Sequence, residues 1–388
     1  MSASKNFIRR AASWNACIAA FLAVVPISPA QAPPASSPAN PAALNYSPTN
    51  PNAIRSYDEA LKQLEKGHAT SALEGFRKAD QMDGGHCFMC ELEAWDAAMQ
   101  AREFQIAQGQ AKTMLDNVTV PAMQAQADFM LGKATLALAI LVDGDSQFEE
   151  ADAAFQAALQ IKPNYLDCIY EDGTALAYLK RDDKAIARFQ AYLKLAGPND
   201  LNYTRVQRLI ERPEMARSRL APNFRVTTLD GKTITLESLA GKVVLIDFWA
   251  MWCPPCRRAL PHLQKIAQEF AGQSFVLLSI SLDPDEASWR GYTARNHMTW
   301  PQYRDGGFDG AIATLFAVRG IPYTIIVDSD GVLVEQYLGS EDINGKHLSS
   351  EAIDGKLREL IARAAAASTH TSASTLQGRD LVIPAEQR

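Results

Sequence analysis

The segment Val243-Val-Leu-Ile-Asp-Phe-Trp249 is apolar and β-branched except for one acid, and Cys253-Pro-Pro-Cys256 follows close behind it. A short run of this kind reads as a strand buried on both faces. From Cys256, Arg-Arg-Ala-Leu-Pro-His-Leu-Gln-Lys-Ile-Ala-Gln-Glu-Phe270 spaces its apolar residues near i, i+3, i+4 and i+7, which predicts an amphipathic helix. The chain is thereby committed to a core strand that turns at once into a helix. Two cysteines stand at the turn.

That placement suits thiol–disulfide exchange. At a helix N-terminus Cys253 meets unsatisfied backbone N–H groups and the positive end of the helix dipole. Both favour the thiolate, which is the attacking species; thiol pKa values in such settings run from roughly 3.5 to 7.5. Cys256, one turn along, is placed to resolve a mixed disulfide. Pro254 and Pro255 carry no N–H, so the Cys253 sulfur is expected to have fewer donors and the couple to be reducing. The alternatives are a static structural disulfide and half of a zinc site. Neither has a second C-x-x-C in this part of the chain to support it, and no metal or cofactor is expected.

Taken together, these residues resemble the thioredoxin superfamily, and within it the extracytoplasmic disulfide reductases of the TlpA/ResA type. The resemblance covers about residues 221–365 and includes Ala221-Pro-Asn-Phe, Leu229-Asp-Gly-Lys, Leu239-Ala-Gly-Lys, Gly320-Ile-Pro-Tyr-Thr and Asp328-Ser-Asp-Gly331. It implies that Cys253 is the nucleophile, Cys256 the resolving thiol and Pro322 a cis-proline beside the dithiol. A cis X–Pro bond would leave the backbone of Ile321 free to pair with an extended substrate. The resemblance also makes Asp247 a buried proton acceptor for Cys256, since burial raises a carboxyl pKa toward neutrality; a satisfied structural carboxyl is the alternative. One position departs from the pattern. The TlpA/ResA type usually has a glutamate three residues after the second cysteine, and this chain has Ala259, so any acid–base step assigned there must run through Asp247 or water. Trp249 is expected in the core and Trp252 as a half-exposed platform for substrate peptide.

Length and charge bound the rest. A chain of 388 residues holds two domains with tails. A net charge of −6 argues against a nucleic-acid partner. Residues 1–32 read as an export signal or an uncleaved N-terminal anchor: Lys5, Arg9 and Arg10 precede the apolar run Ala16–Ile27, and Ala30-Gln-Ala32 resembles a cleavage site. Other apolar runs look too short to span a membrane, so the body is expected to be soluble and extracytoplasmic, where disulfides persist.

Between the N-terminal segment and the dithiol the periodicity is helical. Ala151, Phe155 and Ala158 recur as Ala185, Phe189 and Tyr192, a period of 34 residues, and fainter copies start at Ala72 and Ala107. The stretch resembles a degenerate tetratricopeptide array of about four helical hairpins, whose stacking would expose a concave face for a peptide or protein. A generic helical spacer is the alternative. Within it, Cys87-Phe-Met-Cys90 opens a helix after the turn Asp83-Gly-Gly-His86; a structural disulfide is the first expectation and a redox relay the second. No histidine follows Cys90, so haem attachment is unsupported, and nothing in the spacing makes a metal site of His86 and Cys168. Cys168 is expected as a small buried residue. His262 is read as a solvated helix histidine.

The expected organisation is a signal or anchor at 1–32, a Pro/Ala/Ser linker at 33–53, an all-α repeat domain at 54–212 and a hinge at 213–222. An α/β thioredoxin-like domain follows at 223–367, with a central mixed sheet flanked by helices, and then a disordered tail at 368–388. The function expected is reduction of disulfides in extracytoplasmic proteins, recharged by a membrane thiol–disulfide electron donor, with the helical repeats recruiting partners. The direction of electron flow follows only from the resemblance and the Pro-Pro dipeptide. Two rivals belong to other classes: a thiol peroxidase, which would need a Thr or Ser ahead of a single peroxidatic cysteine, and a binding scaffold with a vestigial redox domain.

Overall fold

A computed structural model describes residues 46–339, 341–342 and 350–377, which fall in one compact unit, Leu44–Arg388. The expected signal or anchor and all but the last residues of the linker lie outside the described residues.

Eight helices pack consecutively as pairs: α1 (Pro51–Glu65) with α2 (Ala69–Met82), α3 (Phe88–Ala101) with α4 (Phe104–Asn117), α5 (Pro121–Val142) with α6 (Asp145–Ile161), and α7 (Leu166–Tyr178) with α8 (Asp182–Leu195). A shorter α9 (Tyr203–Glu211) closes the stack. Their ends follow local chemistry. Pro51 fits the first turn of α1, where its missing N–H is no loss, and the Asn50 side chain accepts the Asn52 N–H at 2.9 Å. Close approach demands glycine at three places: a Cβ on Gly75 of α2 would come within 2.7 Å of the Ala60 Cβ, and one on Gly132 of α5 or on Gly173 of α7 within 2.6 Å of the Phe155 or Phe189 ring, respectively. The repeating phenylalanines therefore seat on repeating small residues, and two apolar cores run through the stack.

Three expectations need correction here. By length and composition α5 is long and apolar enough to cross a membrane, although half of its most apolar window is buried in the array; a core helix meets the same criterion. The segment 213–222 is a packed connection and not a loose hinge, because Met215 and Ala216 bury in the helical core and the Ala221 N–H donates to Gly331 O at 2.9 Å. Residues 368–377, expected in a disordered tail, continue a helix, α13 (Ser350–Gln377). Its alanine-rich stretch costs little side-chain entropy in a helix. Residues 378–388 lie outside the described residues.

The second half is a mixed sheet in the order β5-β4-β3-β6-β7-β8. Its strands are β3 (Val243–Trp249), β4 (Phe275–Ser281), β5 (Gln302–Arg304), β6 (Tyr323–Val327), β7 (Leu333–Leu338) and β8 (Glu341–Asp342). Central β3 is buried throughout, parallel to β4 and antiparallel to β6. Helices α10 (Pro254–Glu269), α11 (Glu286–Arg295) and α13 contribute to the core on one face, and α12 (Ala311–Leu315) to that on the other. Outside this sheet, β1 (Arg225–Thr227) pairs only with β2 (Thr233–Thr235). His262 is not free in solvent; its Nε2 lies 2.7 Å from Asp354 Oδ1 and ties α10 to α13.

The two halves are joined by charge pairs, buried at Glu237 and exposed at Asp330. Glu237 accepts from Arg205 Nε at 2.8 Å and from Arg208 Nη2 at 2.7 Å, and Arg212 Nη2 pairs with Asp330 at 2.7 Å.

Candidate active site

Strand β3 ends at Trp249, and the chain turns through Ala250-Met-Trp252 into α10. Asp283, fully buried at the end of β4, shapes that turn: its carboxylate accepts the Met251 N–H at 3.0 and 3.1 Å and the Ser281 hydroxyl at 2.8 Å. Cys253 is the N-cap residue of α10 and is bonded to Cys256 as a disulfide. The Cys256 N–H donates to Cys253 Sγ at 3.2 Å. With prolines at the two intervening positions, this is the donor the first turn supplies to that sulfur, as the sequence predicts.

The peptide bond Ile321–Pro322 is cis, and Ile321 O lies 3.7 Å from Cys253 Sγ. Trp252 is 54% exposed, with Phe308 flanking it at 6.4 Å between ring centroids. Trp249, by contrast, is buried and packs on Tyr292. The exposure of the two side chains is therefore as expected, core for Trp249 and half-exposed for Trp252.

Behind the cysteine pair, Asp247 and Cys256 line one small cavity together with Trp249, Arg257, Leu260, Leu263, Tyr292 and Met298; it offers ≈ 10 Å³ for the centre of a water, about the room that one water needs. Burial pushes the Asp247 carboxyl up to about 7, against a hydrogen bond from Ser279 that works the other way. Ser279 faces Asp247 across the parallel β3/β4 pair, donates to its Oδ2 at 3.3 Å and accepts from Trp300 Nε1 at 2.8 Å.

The six residues expected to act in this domain, Asp247, Trp252, Cys253, Cys256, Ile321 and Pro322, thus converge on one end of the sheet. Sequence reasoning missed Ser279, Trp300, Asp283 and Phe308. A hydroxyl in the middle of the apolar run Val276-Leu-Leu-Ser-Ile280 was the one local signal available for any of them.

The second cysteine pair lies elsewhere. Cys87 is the N-cap of α3, is bonded to Cys90, and accepts the Cys90 N–H at 3.3 Å. Both are fully buried, the Cys87 N–H donates to Asp80 at 2.9 Å, and the adjacent Glu91 carboxyl is pushed up to about 7 by burial. Cys168 is buried and reduced, its thiol 3.4 Å from Phe155 O and its pKa raised by burial. Among the described residues no group of His, Cys, Asp and Glu is arranged to hold a metal.

Comparison with known proteins bears on the second half. The model of the AhpC/TSA family matches residues 218–336. A thiol-disulfide oxidoreductase ResA of Bacillus cereus is 27% identical over 150 residues, covering 39% of this chain and 82% of that protein. The thioredoxin-like protein YneN of Bacillus subtilis is 32% identical over 122 residues, covering 31% of this chain and 70% of that protein. The chain belongs to the thioredoxin-like family. A solved thiol-disulfide oxidoreductase from Bacteroides fragilis matches 36% of this chain and 98% of its own, at 27% identity and a TM-score of 0.32. The thioredoxin-like half of the protein is that of a thiol–disulfide oxidoreductase, and Cys253 and Cys256 are disulfide-bonded within it in the geometry just described.

Proposed function

We propose that the protein reduces disulfides of exported proteins. Reduced Cys253 attacks a client disulfide, forming one S–S bond to the client and releasing the client's other sulfur as a thiolate. Cys256 gives its proton to Asp247 and attacks Cys253 Sγ, closing the Cys253–Cys256 bond and releasing the client's second thiolate. Two electrons have then passed to the client, and the released sulfurs take up protons. A membrane dithiol donor returns the electrons by the same exchange in reverse.

The observation that carries this reading is the sulfur of Cys253 at the mouth of α10, with the Ile321 carbonyl beside it and Asp247 behind its partner. An extended client segment pairs with the Ile321 backbone and rests on Trp252. The helical pairs, similar in spacing to tetratricopeptide repeats, recruit the client or a partner on their concave face. Residues 1–32 direct the chain out of the cytoplasm or anchor it there. The Cys87–Cys90 bond acts as a structural clip at the start of α3.

Turnover of insulin disulfides tests the chemistry. Cys253→Ala should abolish it, whereas Cys256→Ala should accumulate a mixed disulfide with client. Full activity of Cys253→Ala would end this reading, and rapid consumption of hydrogen peroxide would favour the peroxidase instead.

A further inference from the structure

The helical array touches the dithiol end of the sheet through the turn between α3 and α4. Arg319, two residues before Ile321, donates through Nη2 to Gln100 O in the last turn of α3. That carbonyl is among the last of its helix, which lack partners within the helix and carry the negative end of the dipole, so a guanidinium is the natural group to hold it. The contact fixes Arg102, the C-cap of α3, next to the start of β6.

A second arginine reaches the same place from the connection between the two halves. Arg219 O accepts the Leu333 N–H at 2.8 Å, and its Nη2 donates to Gln336 Oε1 at 2.8 Å, which lays the side chain along β7. Strand β7 pairs with β6 so that Leu338 stands opposite Tyr323. Arg102 and Arg219 are close enough that each acts on the other's charge and on the Tyr323 phenol: partial burial first and then Arg102 depress the Arg219 pKa, and both arginines oppose the burial that raises that of Tyr323. Tyr323 is two residues beyond Ile321, ~7 Å along an extended strand.

Like charges brought together cost energy unless something negative joins them. Arg102, Arg219 and Arg319 are solvent-exposed, and among the described residues no carboxylate lies within ion-pair distance of any of them. Arg257 and Arg258, directly after Cys256, are exposed and likewise lack a carboxylate partner among the described residues. Elsewhere in the chain, Arg181, Arg188, Arg205, Arg208, Arg212 and Arg217 all have one. Arg55, Arg77, Arg225 and Arg295, in other elements, also lack one among the described residues, but in a protein of net charge −6 five such guanidinium groups stand close in sequence or space to the Cys253–Cys256 and Ile321–Pro322 segments.

We propose that Arg102 of the helical array and Arg219 form a composite basic rim beside the Ile321–Pro322 strand edge, and that it selects clients whose cysteine is flanked by acidic residues. The inference rests on the disulfide-reductase reading. It gives the helical region a role in the site itself: it supplies one of the two charges that read the client, and Arg319 positions it.

The test uses the full chain with two synthetic peptides of matched length, each holding one disulfide, flanked by glutamates in one and by lysines in the other. Hydroxyethyl disulfide, small and neutral, reports the chemistry alone. At low salt the wild type should favour the glutamate peptide about tenfold in kcat/KM, the scale of electrostatic steering. The ratio should fall toward one near 1 M salt, where the Debye length is about 3 Å. Arg102→Glu with Arg219→Glu should invert it, and Arg102→Gln with Arg219→Gln should erase it. A wild-type ratio near one with hydroxyethyl disulfide still reduced overturns the rim alone, as does a preference that both double variants keep. Failure of the wild type to reduce even hydroxyethyl disulfide overturns the reductase reading beneath it.

Discussion

Asp247 and Ser279 stand opposite each other on adjacent parallel strands, and the serine hydroxyl donates to the buried carboxyl at 3.3 Å while accepting the Trp300 indole N–H at 2.8 Å. The carboxyl therefore keeps one fixed donor, and it shares its cavity with Cys256 and Arg257. Desolvation wins over that single hydrogen bond and sets the carboxyl at about 7.

A folded-state value above the unfolded one makes this aspartate a liability at high pH. Below about 4 the carboxyl is protonated in both states and costs nothing in differential ionisation. Between there and about 7 the unfolded chain ionises first, so stability falls as pH rises, and above about 7 the loss is complete, on the order of 4 kcal/mol. Asp247→Asn should remove that slope in denaturant melts across pH 4–8 and slow closure of the Cys253–Cys256 bond in single-turnover assays. Ser279→Ala, which deletes the lowering hydrogen bond, should move the inflection of the wild-type pH–rate profile upward. An unchanged inflection in both variants would separate Asp247 from the proton transfer.

The two disulfides should respond differently to reductant. Cys87 and Cys90 are fully buried, whereas the Cys253–Cys256 pair opens on a cavity and sits beside exposed Trp252. Dithiothreitol followed by alkylation and mass spectrometry of the native protein should label Cys253 and Cys256 first, with Cys87 and Cys90 protected until denaturant is added. Closing so short a loop stabilises by about 2 kcal/mol on chain-entropy grounds, so Cys87→Ala with Cys90→Ala should lower stability by roughly that amount and leave insulin reduction intact. Equal labelling of both pairs would make the clip a second redox centre.

Glycines in the helical array can be sorted by what a methyl group would meet. Gly109 of α4 has open space around it, and Gly109→Ala should stabilise by about 1 kcal/mol through helix propensity. Gly173→Ala gains the same propensity but drives a Cβ to 2.6 Å from Phe189, an overpacking cost of about 1–3 kcal/mol. Thermal melts should therefore show opposite signs for the two substitutions.

Glu237 holds two guanidinium groups at the junction of the halves, and its side chain is 6% exposed. Glu237→Ala leaves Arg205 buried without its counter-ion, a loss of roughly 3–5 kcal/mol. Limited proteolysis should then cut between α9 and β1, where the wild type resists. The conservative Glu237→Gln should fall between them, since it keeps hydrogen bonding but not charge.

Local pattern carried some of these features and not others. Strand β3, the start of α10, the dithiol at their junction and the small-to-aromatic spacing of the helical pairs are written in consecutive or regularly spaced residues. Burial on both faces needs an unbroken apolar run, a helix needs its period, and both survive without knowledge of neighbours. The partners of that dithiol come from distant chain. Ser279 matters because parallel pairing sets it against Asp247, Asp283 because it reaches back to Met251, and Arg102 because Arg319 holds its helix end against the sheet. Apart from the hydroxyl of Ser279 in its apolar run, none has a local signature, since a hydrogen bond or a charge cluster depends on separation in space. The sequence alone therefore determined which sulfur chemistry the chain carries and pointed to Asp247, and tertiary packing alone decided how that acid is held and which hydroxyl and which arginines surround the cysteines.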